Sequence, residues 1–206
     1  MALASVLKST WAKPVVHFLC LAPFVLLLIA AFADELGANP VEKLTFQTGL
    51  WTLRLLLVTL ALSPLRQWTG EAAWIRFRRM TGLYCYFYCC CHFSIWFIAD
   101  HSFDFADMFE DVIKRPYITL GFSAFVLLLP LAITSNQAMV RRLGRKWKAL
   151  HQLIYAIILL AVLHFLWLVK ADYLEPTIYA IIAMVLLLHR VGPMKRFNLK
   201  PFTAAR

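Results

Sequence analysis

Negative charge is scarce in this chain. Asp and Glu number 11 against 21 Lys and Arg over 206 residues, and charged residues of either sign make up only 16%. Glycine is also thin, at 7 residues, and no G-x-G-x-x-G run occurs of the kind that opens a nucleotide-binding βαβ unit. A covalent haem needs Cys-x-x-Cys-His, and here Tyr88 stands among Cys85, Cys89, Cys90 and Cys91, so His92 is not preceded by that motif. These thiols, with Cys20, read as small apolar fillers. The lead, residues 1–13, has no small-residue cleavage site ahead of Asp34, so the apolar stretch after it is expected to be a retained helix and not a signal peptide. No internal repeat or low-complexity tract is expected.

What is abundant is apolar. The composition is 62% hydrophobic with a mean hydropathy of +0.70, too apolar for a soluble domain of this length. The pattern predicts an all-α integral membrane protein: a six-transmembrane-helix bundle in a single domain over 1–206, with spans near 14–33, 46–63, 80–99, 117–134, 149–169 and 175–190. Pro64 is expected to end the second span, and DMFEDVIK at 107–114 to form a short surface helix. Of the 21 basic residues, 16 fall in the lead, the 65–79 and 135–148 connections and the tail, where Lys195, Arg196, Lys200 and Arg206 lie; all acids but Glu71 fall on the opposite side. By the positive-inside rule both termini are cytoplasmic. The net charge of +10 is thereby explained by topology, and nucleic acid is not an expected partner.

Ionisable side chains at membrane depth are costly and point to function. His92 lies 7 residues before the outer end of span three and His164 6 before Lys170 at the outer end of span five, so both sit about 10 Å below the outer boundary at about 1.5 Å per residue. Two neutral imidazoles at one depth on different helices suit the two axial positions of a haem iron. The plainer alternative is hydrogen bonding between helices. His151 lies about 20 Å deeper on the same helix and about 140° around it from His164, so the two address different azimuths unless a π-bulge realigns them. His17 and His189 read as interfacial, and His101 as solvated in the outer loop. A small transporter or channel, with His, Arg54 and Cys lining a pathway, is the competing class, but it would more naturally show two related halves.

Four stretches carry a resemblance: GANPV at 37–41, RRMTGLY at 78–84, RPYITLG at 115–121 and TSNQAMVRRLGRKWKALHQLIY at 134–155. The chain resembles the MsrQ (YedZ) family, haem-bearing membrane subunits within the ferric-reductase-like transmembrane superfamily. The resemblance implies a b-type haem relay (one or two haems) in the bacterial inner membrane. Electrons would come from the quinone pool or from a cytoplasmic flavin reductase through FMN, and pass to MsrP, a periplasmic molybdopterin subunit that repairs oxidised methionine. Carried over residue by residue, it implies iron ligation by His92 and His164 for an outer haem and by His151 for an inner one, the latter with His17 or His189 as candidate partner. Superfamily oxidases carry a second histidine about fourteen residues before His92; this chain has Arg78 there, and a guanidinium cannot ligate iron. A self-contained ferric reductase or oxidase would need flavin and nicotinamide domains, and only a short tail follows His189.

Overall fold

The structure is a computed structural model that describes the backbone of residues 2–197 and the side chains of 4–190. The tail cations Lys195, Arg196, Lys200 and Arg206 lie outside the described side chains. All regular structure among the described residues is helical. In chain order it comprises α1 (Ala2–Lys8), α2 (Ala12–Phe32), α3 (Pro40–Thr69), a 3₁₀ turn (Ala72–Phe77), α4 (Arg78–Ala99), α5 (Phe105–Lys114), α6 (Pro116–Ile133), α7 (Gln137–Leu143), α8 (Arg145–His151), α9 (Ile154–Leu168) and α10 (Leu174–Phe197). Among the described residues, five stretches are long and apolar enough to cross a membrane: Ala12–Phe32, Pro40–Thr69, Ala72–Ala99, Pro116–Ile133 and Arg145–Leu168. The expected sixth span, 175–190, falls on α10.

The helix starts follow from capping chemistry. Asn39 accepts from the Glu42 amide and donates to its carboxylate, with Pro40 in the first turn of α3. Asp104 accepts from the amides of Ala106 and Asp107 at the head of α5, and Asn136 from that of Met139 at the head of α7.

Two expectations are corrected by the backbone. Pro64 does not end the second span; α3 runs through it to Thr69 and stops at Gly70, whose φ of 71° gives the left-handed cap. A proline cannot donate to the carbonyl four residues back, and in a bundle core that carbonyl must find another partner. Here the freed oxygen is that of Leu60, and Arg190 Nη2 donates to it at 3.0 Å. The fifth span is likewise not one continuous helix. Between α8 and α9 the Gln152 amide is shared between the carbonyls of Lys148 at 3.1 Å and Ala149 at 3.2 Å, and the amides of Leu153 and Tyr155 reach back three residues, to Leu150 and Gln152, so the break is a tight turn, the opposite of a widened π-bulge.

Two helix pairs dominate the packing, α3 on α4 and α6 on α9. Their shared core contains Leu56 and Leu60 of α3, Cys85 and Tyr88 of α4, and Ile157 and Ile158 of α9, all nearly or fully buried. Tyr88 donates to the Cys20 carbonyl at 2.9 Å, which ties α2 to this core. Cys85 sits inside it as the small filler expected of it, its thiol on the Thr52 carbonyl.

His101 is not solvated: it is 6% exposed, with Nδ1 2.7 Å from Asp107, Nε2 3.5 Å from Asp111 and Trp96 edge-on at 4.6 Å. It staples α5 against the end of α4, across a loop in which Ser102 and Phe103 both adopt positive φ. The remaining acids of α5 are also engaged, Asp111 with Arg115 and Glu110 with Lys114, whose ammonium is held above its ordinary pKa chiefly by that hydrogen bond.

Candidate functional site

His92 projects from α4 towards α3 and rests on Gly49. A Cβ on Gly49 would lie 3.0 Å from the imidazole, so only glycine admits the ring at its present position. Nδ1 of His92 is 2.8 Å from the carbonyl oxygen of Thr45, one helical turn before that glycine. His164 repeats the arrangement. It projects from α9 onto Gly121 of α6, where a Cβ would lie 2.8 Å from the ring, and its Nδ1 is 2.7 Å from the Tyr117 carbonyl, again one turn before the glycine. Carbonyl oxygens only accept, so each Nδ1 carries the proton and donates, and each Nε2 keeps its lone pair. No hydrogen bond to either Nε2 occurs among the described residues.

The two imidazoles face one another with ring centres 6.3 Å apart and planes at 80°. A histidine nitrogen binds a metal at about 2 Å and the ring centre lies about 1 Å further back, so two rings gripping one ion from opposite sides have centres roughly 6 Å apart. The observed pair meets that requirement. Both rings line a cavity of about 1020 Å³, at the upper end of the roughly 300–1,000 Å³ usual for small-molecule sites. Phe93, Phe122, Phe125 and Leu128 give it apolar walls, and its charged lining residues, Arg115 and Lys170 with Glu42, Asp100 and Asp172, carry both signs. The residues present therefore fit a bis-imidazole metalloporphyrin: two free lone pairs and apolar walls.

The two half-sites are related by a constant offset in the sequence. Tyr117, Gly121 and His164 each lie 72 positions after Thr45, Gly49 and His92, and the match extends from His92-Phe93 to Ala99-Asp100 against His164-Phe165 and Ala171-Asp172. Few other identities occur at this offset, so the correspondence between the α3–α4 and α6–α9 hairpins is one of geometry and spacing, and Gly49, Gly121 and the two carbonyls were overlooked for that reason.

The third candidate, His151, is not brought to the other two. It ends α8, stacked on Trp147 with ring centres 3.9 Å apart. Neither histidine considered as its partner contacts it: His17 bonds Tyr84 at 3.1 Å, and His189 bonds Gln67 at 2.9 Å and packs on Trp68. Arg54, also at membrane depth, is occupied by Tyr179 and Glu175 on α10.

The pattern of the family described as ferric reductase like transmembrane component matches residues 48–162, a stretch that includes Gly49, His92, Tyr117 and Gly121 and stops two residues short of His164. Relatives named protein-methionine-sulfoxide reductase heme-binding subunit MsrQ align over most of the chain. That of Xanthomonas axonopodis pv. citri is 52% identical over 201 residues, covering 95% of this chain and 91% of its own. This chain belongs to the MsrQ family. The MsrQ protein of Xanthomonas oryzae pv. oryzae is 53% identical over 182 residues, 85% of this chain and 84% of its own, and that of Herminiimonas arsenicoxydans 49% over 187 residues, 89% and 86%.

Proposed function

We propose that this MsrQ-family chain is the haem b-bearing electron-transfer subunit of a protein-methionine-sulfoxide reductase system, with His92 and His164 as axial ligands. The observation that carries the reading is the facing imidazole pair, 6.3 Å apart, each with Nδ1 anchored on a helix carbonyl. A haem held there supplies a reversible one-electron iron couple. The residues of the chain do the rest. The Thr45 and Tyr117 carbonyls fix each imidazole's tautomer and raise its basicity, and Gly49 and Gly121 set how closely each ring approaches its neighbouring helix. The aromatic walls would keep water from the group bound there.

The wider reading places the chain in the bacterial inner membrane as six spans with cytoplasmic termini. Electrons enter at the basic end from quinol or from a flavin reductase carrying FMN, and leave at the acidic end to the periplasmic molybdopterin subunit MsrP. It is supported by family membership and by the asymmetry of charge along the chain.

An absorption spectrum of the purified protein tests the proposal. A dithionite-reducible, low-spin b-type Soret band is expected, and it should disappear in both His92→Ala and His164→Ala; a transporter would show no such band, and retention of a wild-type band in both variants would remove the axial assignment.

A further inference from the structure

The helix α5 carries more apolar surface than the bundle covers. At about 100° per residue, Met108, Val112, Phe105, Phe109 and Ile113 fall on one continuous arc, and Asp107, Glu110, Asp111 and Lys114 fall on the opposite one. Met108 and Val112 are buried, whereas Phe105, Phe109 and Ile113 are 63%, 52% and 80% exposed. Phe103, in the loop that leads into the helix, is 60% exposed. Four large apolar side chains exposed together on one short connection mark an interaction surface.

Three observations say what covers it. The chain reaches α5 from the end of α4 through residues 100–104 alone and passes to α6 through Arg115 alone, so the helix is tied to the ends of two elements that are long and apolar enough to cross a membrane. The exposed face is also continuous with the aromatic surface of those two elements. The Phe97 ring of α4 meets Phe103 at 5.6 Å and Phe105 at 4.9 Å, and the Phe122 ring of α6 meets Phe109 at 6.4 Å. Finally, the charges keep to the other arc and are paired there: Asp107 and Asp111 with His101, Asp111 also with Arg115, and Glu110 with Lys114. A helix with one apolar and one charged face, held at the end of a membrane bundle, buries the first in the boundary between headgroups and acyl chains.

We propose that α5 lies in the plane of the membrane surface at the acidic end of the bundle, with Phe103, Phe105, Phe109 and Ile113 seated in the bilayer and Asp107 and Glu110 turned to water. The occupant of the aromatic face is the lipid bilayer itself. Acids outnumber Lys114 on the helix, so burial of apolar surface holds it there and attraction to anionic lipid does not. The contacts of His101 with Asp107 and Asp111 set the rotation of the helix about its axis that aims the aromatic face at the bilayer. The seating needs no ligand between His92 and His164.

The experiment uses the full chain reconstituted into phosphatidylcholine vesicles. A nitroxide is attached at Phe109→Cys, Ile113→Cys or Glu110→Cys, with the signal of identically treated wild type subtracted for the native thiols. Each variant is first checked for a wild-type Soret band and elution profile. Power saturation then compares relaxation by oxygen, which concentrates in hydrocarbon, with relaxation by a water-soluble nickel chelate. Oxygen should dominate at 109 and 113, at a depth of about 5–10 Å into the headgroup and acyl boundary, and nickel should dominate at 110. Replacing part of the phosphatidylcholine by phosphatidylglycerol should leave all three values unchanged. Dominance of nickel at 109 or 113 overturns the proposal and leaves the aromatic face to a water-soluble partner protein. Dominance of oxygen at 110 overturns it as well, because the charged arc then does not face water.

Discussion

The two ends of the α3–α4 and α6–α9 hairpins differ in how well they match. At the acidic end the hairpins agree residue for residue where a ligand needs a pair: carbonyl, glycine one turn on, and a His-Phe on the partner helix. At the basic end they diverge. The first hairpin closes there with a hydrogen bond between Thr59 and Thr81 at 2.8 Å, and the second with a helix break and the Trp147–His151 stack. If the two histidines grip one ion, as proposed, that chemistry holds both hairpins to one geometry. Packing does not, because many combinations of side chains fill a helix interface.

The largest test of this contrast is at the matched end. His92→Ala and His164→Ala should each abolish the low-spin band, and equal losses would confirm that the half-sites are equivalent, while a band surviving in one variant alone would show that only one half-site is used. Next come the glycines. Gly121→Ala should be worse than Gly49→Ala, since the added Cβ would sit at 2.8 Å from the ring in one case and 3.0 Å in the other; overpacking of this kind costs about 1–3 kcal/mol. The measurements are haem per chain and thermal stability, and a reversed order would contradict the geometry. At the unmatched end, Thr81→Val should cost about 1 kcal/mol by removing the Thr59 bond and leave the Soret band unmoved; a displaced band would mean that the basic end also shapes the ligand site. In the outer connection, His101→Ala should raise amide exchange across 101–115 by about tenfold, because two carboxylates lose their shared partner. The smallest effect belongs to Glu110→Gln. Its charge is already engaged by Lys114, so delivery of electrons to a partner should change little with salt, and a marked salt-dependent loss would mark the acidic loop as the docking surface.

That His92 and His164 would lie level with one another was readable from the sequence because helix rise converts residue counts into distance, and their rings do meet at 6.3 Å. Their supports were less so: Gly49 and Gly121 look like ordinary helix glycines until a ring is seen resting on each. The 72-residue offset was the available signal, and it shows only when the two His-Phe pairs are aligned first. Pro64 was misread as a terminus because its compensation comes from Arg190, 126 positions later, which no local pattern contains. His101 was misread for a similar reason. A histidine between Asp100 and Ser102 looks wet, and its burial depends on α5 folding back to bring Asp107 and Asp111 around it.

The turn at Gln152 and Leu153 has a geometric consequence. An α-helix advances about 100° per residue and a three-residue turn about 120°, so the tightened stretch at Leu153 and Tyr155 moves the azimuth of His151 relative to His164 away from that of an unbroken helix. The Trp147–His151 stack is thereby aimed separately from the imidazole seated on Gly121.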